Sequence, residues 1–219
     1  MKERMIEKIT KYQKRICILL ALIIAFGLTS VAIYQRELRV EAKIQSTQEE
    51  VAKEVLRFHI LANSDGKKDQ ELKMKVKEAI LKCMKREIPH AKNVEETKAW
   101  AIENELKLQD TARTIIREEG YNYPVNVEVT KCYFPDKTYG DVTFPAGDYE
   151  ALRIEIGEAK GHNWWCVLYP NLCFVDATHA VVPDEGKEEL KEVLTEEEYE
   201  MVTATSEFKI KWFFLEQEK

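Results

Sequence analysis

Three signatures of catalysis are missing from this chain: a glycine-rich phosphate loop, a G-x-S-x-G nucleophile elbow and an H-E-x-x-H zinc helix. Without the first there is no cradle of backbone N–H groups for phosphates. Without the others there is neither an exposed serine on a strand-to-helix turn nor a pair of histidines on one helix face. Asp and Glu are abundant, but no run of them singles out a general acid and base. Internal repeats and low-complexity stretches are absent too, which leaves a folded domain with 45% hydrophobic and 10% aromatic residues.

Basic residues are outnumbered by acidic ones outside the N-terminus. Residues 1–34 hold six Lys/Arg against two Glu, a balance of +4. The other 185 residues hold 27 Lys/Arg against 37 Asp/Glu, a balance of −10. Such an acidic body lacks the footprint that neutralises phosphates, so no nucleic-acid partner is expected.

Charge is missing altogether from ICILLALIIAFGLTSVAIY, residues 16–34. At ~1.5 Å per residue this run spans roughly 28 Å, the thickness of a bilayer's hydrocarbon core. The basic residues 1–15 before it belong on the cytoplasmic side, which places everything after Tyr34 outside. Ser30-Val31-Ala32 has the small-residue spacing of a signal-peptidase site, yet the run is long enough to remain as an anchor. Both readings make the body extracytoplasmic.

Residues 35–54 lack Gly and Pro and read as a polar stalk of weak helical character, with the domain proper at 55–219. VLRFHILANSD alternates Val55, Arg57 and His59 against Leu56, Phe58 and Ile60, a strand ended by the Asn63-Ser64-Asp65-Gly66 turn. Leu72, Val76, Ala79/Ile80 and Cys83 recur at helical spacing from Asp69 to about Glu87, before Pro89. The lysines on this helix's other faces read as a solvated surface. A second helix has Asn93 and Glu96 at capping-box spacing, a stripe of Ala99, Ile102, Leu106, Ala112 and Ile116, and Gly120 as its stop. Strand periodicity follows in PVNVEVTKCYF and GDYEALRIEIG. HNWWCVLYP, apolar on both faces, fits a central strand. Thr195 and Glu198 cap a short helix, and Phe208, Ile210, Trp212 and Phe214 mark a closing strand. The expected class is α+β: a mainly antiparallel sheet with two helices between the first and second strands, preceded by a membrane or signal segment.

The cysteines and histidines carry several alternatives. His162, Cys166 and Asp176 evoke a thiol hydrolase, but positions i and i+4 on a strand lie ~13 Å apart, so His59 or His179 would have to serve as the base. Cys166, Cys173, His162 and His179 could ligate zinc, though C-x6-C lacks the usual tight knuckle. Outside the cytoplasm Cys166 and Cys173 could instead form a disulfide, if the chain folds back at Tyr169-Pro170-Asn171. A loop so short would contribute ~2 kcal/mol. Two free buried cysteines remain the alternative. Adjacent Trp164 and Trp165 face opposite sides of a strand, so both are buried only if both faces are covered. No cofactor, metal or small-molecule substrate is indicated.

LRFHILANSDGKKDQELKMKVKEAI (56–80), FPAGDYEALRIEIGEAKGHNWWCVLYPNLCFVD (144–176) and the basic-apolar N-terminus closely resemble the stage II sporulation protein R family of endospore-forming bacteria. The likeness runs from about Val55 to Asp176, and Asn171 departs from it where a second proline is expected. The resemblance implies a sporulation signal without catalysis. Such a protein is exported from the forespore into the space between forespore and mother-cell membranes. There it activates a membrane-embedded aspartic protease of the mother cell, which cleaves the sigma E precursor. The surface expected to face that receptor comprises His162, Asn163 and one of Trp164 and Trp165, with Asn63 and Asp65.

Overall fold

The computed structural model describes residues 2–88, 93–170, 173, 182 and 184–204. Its first element is one long helix, α1, Lys2–Glu54, which contains both the apolar run and the expected stalk. Within it Ile18, Leu22 and Phe26 are exposed, as suits a segment made for an apolar solvent. By length and composition it can cross a membrane, and it is the one described helix that can.

Residues 2–45 form a unit apart from the compact body, which begins at Ser46 rather than at Val55. The last turns of α1 are therefore domain, not stalk. Val51 is fully buried, Thr47 donates to Glu197 Oε1 at 3.4 Å, and the Gln48 side chain fills the space where Gly147 has no Cβ.

The body follows the order β1 (Leu56–Leu61), α2 (Lys67–Glu87), α3 (Val94–Glu103), α4 (Glu105–Glu118), β2 (Val125–Phe134), β3 (Lys137–Tyr139), β4 (Val142–Phe144), β5 (Gly147–Ile156), β6 (Asn163–Tyr169), α5 (Asp184–Val193) and α6 (Glu196–Thr203). Four strands form one sheet in the order β2-β5-β1-β6, and β3 and β4 form a separate hairpin. Two of the three pairings in the large sheet are antiparallel, while β1 and β5 run parallel, so the sheet is mixed. The class is α+β.

Local chemistry accounts for most helix boundaries. Asn93 Oδ1 accepts from the Glu96 N–H at 2.8 Å, and Thr195 with Glu198 forms a reciprocal capping box. Gly120, at φ 82°, ends α4: its N–H bonds Arg117 C=O while the Tyr121 N–H reaches back to Ile116 C=O, a Schellman arrangement. The expected helix after Asn93 is two helices. Asn104 breaks it, its side chain donating to Trp100 C=O at 2.8 Å. The buried positions Val94, Thr97 and Ala101, then Leu108, Ala112 and Ile116, keep helical spacing across the break and form one inward face. Ala99, Ile102 and Leu106 of the expected stripe are exposed instead.

Helices α2 and α4 cover one face of the sheet, where Leu72, Val76, Ile80, Leu108 and Ile116 pack on Phe58, Ile60, Val127, Leu152 and Ile154. A fully buried aliphatic or aromatic side chain contributes roughly 1.5–3 kcal/mol, so this layer dominates stability. The other face is organised around Arg57, which is fully buried. Its guanidinium lies 4.4, 5.1 and 4.8 Å from the ring centroids of Phe134, Phe144 and Tyr149, and bonds Cys166 C=O and Tyr139 Oη. The cation thus fastens the β3–β4 hairpin to the sheet.

HNWWCVLYP does not give a central strand: β6 lies at the edge among the described strands, and β5 and β1 are central. It is apolar on both faces because both faces are covered at its position. The closing strand expected around Phe208–Phe214, and the positions Pro89, Asn171, Asp176 and His179, lie outside the described residues.

Candidate functional site

The connection from β5 to β6 has to cross β1, because β1 lies between them. It crosses at the end of β1, where Ala62-Asn63-Ser64-Asp65-Gly66 turns into α2. Two segments far apart in sequence therefore share one structure.

Asp69, in the first turn of α2, is its anchor. Its carboxylate accepts from Asn63 Nδ2 at 2.8 Å, Ser64 Oγ at 2.6 Å and Tyr123 Oη at 3.3 Å. The Ser64 and Asn63 hydrogen bonds, with that of Tyr123, hold its carboxyl below the usual carboxylate range. Asn63 then presents Oδ1 to the Glu158 N–H at 3.0 Å, and its C=O accepts from the Lys160 N–H at 3.3 Å. Ala62 C=O accepts from the Gly161 N–H at 2.9 Å. Lys73, itself buried, donates to Gln70 Oε1 at 2.6 Å and to His162 C=O at 2.8 Å. Burial lowers its pKa.

The crossing is too tight for side chains at two positions. A Cβ on Gly157 would collide with the Asn63 side chain, and one on Gly161 with Ser64 C=O. Between them Ala159 takes a positive φ of 51°, a conformation that costs a non-glycine residue free energy and that the surrounding bonds impose.

On top of this brace stands an exposed pair. Asp65 accepts from both the His162 N–H and its Nδ1, with side chains 79% exposed for His162 and 58% for Asp65. These bonds from His162 lower the Asp65 carboxyl's pKa.

The two tryptophans part as their alternation requires. Trp164 turns to the helices, edge-on to Phe58 at 5.7 Å with Lys77 Nζ 4.9 Å above it. Trp165 lies on the opposite face, stacked on His59 at 5.8 Å and under Lys137 at 5.0 Å. Both are half-buried, and Asn163 shares the face of Trp165. Of the expected surface, His162, Asp65, Asn163 and Trp165 are gathered at one edge. The Asn63 amide is engaged at both its ends within the brace.

Cys166 is joined to Cys173 in a disulfide, with Cα atoms 5.4 Å apart, and the Tyr169–Pro170 peptide between them is cis. Cys17, Cys83 and Cys132 are free thiols. His59 contacts a different cysteine from the one considered above: Cys132 Sγ is 3.8 Å from its Nδ1. Burial pushes the Cys132 thiol up, while burial and the Arg153 cation lower His59 to about 4. The two are thus neutral at physiological pH, whereas a thiol hydrolase works through thiolate and imidazolium. Among the described residues no three His, Cys, Asp or Glu side chains come together as a metal-ligand set.

The model of the stage II sporulation protein R family matches residues 52–179. The chain belongs to that family. It is 34% identical over 194 residues to the stage II sporulation protein R of Bacillus subtilis strain 168, covering 88% of this chain and 84% of that protein. No solved structure matches. The matched span contains both segments of the brace and the whole four-stranded sheet, so family membership and site geometry concern the same residues.

Sequence reasoning missed Arg57, His59, Arg153 and Cys132 as a group, and Asp69 and Lys73 as supports. One signal was present: Arg57 and His59 alternate with Leu56, Phe58 and Ile60, placing two polar groups on one face of a strand buried on both sides.

Proposed function

We propose that the chain is an exported sporulation signal that activates, by binding, a membrane-embedded aspartic protease of the mother cell, which then processes the sigma E precursor. Family membership supports the sporulation role, and the apolar stretch of α1 is consistent with a signal or anchor segment. The observation that carries the binding reading is the exposed His162–Asp65 pair on a buried brace. Pre-organised polar groups beside a large aromatic are the ingredients of an interface anchor, because little entropy is lost when they dock. The surface is His162, Asp65, Asn163 and Trp165.

Catalysis by Cys166 fits less well, since its sulfur is engaged with Cys173 and the other His-adjacent thiol is held protonated. Asp65→Ala and Asn163→Ala are the test, with thermal stability and sigma-precursor processing both measured. Lost processing at unchanged Tm is the expected result, and a fall in Tm large enough to explain the lost signal would reduce these residues to fold-builders. Cys166→Ser with Cys173→Ser separates the alternative: a binding protein that still folds keeps part of its signal, whereas a thiol enzyme loses all of it. A reporter fused after Lys219 should be active only outside the cytoplasm.

A further inference from the structure

The sheet face turned away from the helices carries nitrogen atoms that the fold leaves without partners. His59 of β1 lies between Arg153 of β5 and Trp165 of β6, its register partners on either side. Arg153 Nε, His59 Nε2 and Trp165 Nε1 are each buried and bond to nothing. His59 is only 6% exposed. Neighbouring strands are ~4.8 Å apart, so the three side chains rise from points spanning roughly 10 Å.

Arg153 Nε and Trp165 Nε1 are donors in every protonation state. The Cys132 thiol, kept protonated by burial, lies 3.8 Å from His59 Nδ1. With that thiol donating to Nδ1 the imidazole proton is on Nε2, because the bond made at one ring nitrogen fixes the tautomer of the other, and Nε2 is then the third donor. Asn163 stands near enough to favour the charged imidazole without bonding Nε2.

Charges of both signs surround the row. Lys137 Nζ lies over Trp165, and Arg57 lies two residues before His59 on the same face, with only a carbonyl, a phenol and aromatic rings around it. The acids nearby are Glu155, bonded to Arg153 Nη2 at 2.6 Å, Glu128, which pairs with Arg153 across β2, and Asp148 beside Cys132. None of them reaches the three free N–H groups.

We propose that this row is a recognition site for one carboxylate of the partner protein, held jointly by Arg153 Nε, His59 Nε2 and Trp165 Nε1. Three single donors match a carboxylate, whose two oxygens offer about four acceptor positions. A guanidinium among them makes the bond charge-assisted. Entry is from the flank where Arg153, Trp165 and Cys132 are half-buried. The site adjoins Asn163 and deepens the binding reading above, on which it rests only for the partner's identity.

The test begins with the full chain in detergent micelles, its tryptophans labelled with 15N. It is titrated with the peptide acetyl-Gly-Glu-Gly-amide and, separately, with its Gln counterpart. The Glu peptide should shift the Trp165 indole N–H resonance, assigned by its loss in Trp165→Phe, and raise the His59 pKa. The Gln peptide should do neither. Arg153→Gln should weaken the response at least about tenfold, and Arg153→Lys should not restore it because Lys has no Nε. Equal responses to the two peptides, or a silent Trp165 indole at the peptide's solubility limit, overturn the proposal. In sporulating cells Arg153→Gln and Trp165→Phe should each abolish sigma-precursor processing at unchanged Tm. Where Asp65→Ala abolishes processing and so upholds the signalling reading, normal processing by both overturns the site. If no variant affects processing while the Glu peptide alone shifts Trp165, the carboxylate site stands and the signalling reading fails.

Discussion

Asn63 occupies the space into which a side chain on Gly157 would project, so the strand-end turn and the crossing loop fit only because position 157 has none. Gly157 also sits at φ 64°, where a Cβ is strained whatever its surroundings.

Gly157→Ala should therefore destabilise the domain by about 2–4 kcal/mol, combining backbone strain and overpacking. Asn63→Ala clears the collision but leaves the strain and frees Asp69 of a donor. The double variant should be less destabilised than the sum of the two, as denaturant melts would show. Strict additivity would mean that the two residues do not compete for the same space.

Acid should open the brace. Asp69's carboxyl is lowered in the folded chain by Ser64, Asn63 and Tyr123, relative to an ordinary value of 3.8. A depressed carboxylate stabilises the fold above its unfolded pKa and loses that contribution as pH falls through the folded one. Tm should thus drop below about pH 4. Asp69→Asn should cost about 1.5–3 kcal/mol of stability at neutral pH for a lost charged hydrogen bond, lower Tm accordingly, and flatten this acid limb. An unchanged limb in the variant would show that other groups govern it.

Helix ends were legible in the sequence because their causes are local. Thr195 with Glu198, Asn93, and Gly120 each act within a few residues, and each does so in the structure. Asn104 was not legible. An asparagine inside a helical run can face solvent or bond its own backbone, and only the second choice breaks the helix. Ile102 and Leu106 lie outside for a different reason: the buried stripe runs Val94, Thr97, Ala101, Leu108, Ala112 and Ile116, a face to which neither belongs. The position of β6 was hidden for another reason: an apolar pattern on both faces records coverage, not place in the sheet. The signature residues of the site could be read individually, but the brace joins residues nearly a hundred positions apart. Nothing in local periodicity records that the β5–β6 connection passes over β1.

His59 gives the fold a second pH dependence, in a different window. Its folded pKa is lowered to about 4, by burial first and then by Arg153, from 6.5. Between those values the unfolded chain binds the extra proton, so stability rises with pH across the window and is complete above about 6.5. The span amounts to roughly 2 kcal/mol once solvent screening is counted. His59→Gln, which cannot titrate, should remove the slope between pH 4 and 6.5 while leaving the Asp69 limb below it. Urea melts across that range check this, and a slope that survives the substitution assigns it elsewhere.

Trp164 and Trp165 should separate stability from signalling. Trp164 packs against Phe58 and the helix-side core, so Trp164→Ala should cost about 2–4 kcal/mol. Any loss of signal would follow from that loss of fold. Trp165 stacks on His59 and holds a buried indole N–H without an acceptor, an arrangement that itself lowers stability. Trp165→Phe keeps the ring and deletes the donor, so Tm should hold or rise. If the face works by binding, processing of the sigma precursor should nonetheless fail. Tm and processing measured side by side for the two variants decide the matter. A Trp165→Phe chain that melts higher and signals normally would mean that the indole N–H has no partner in the complex either.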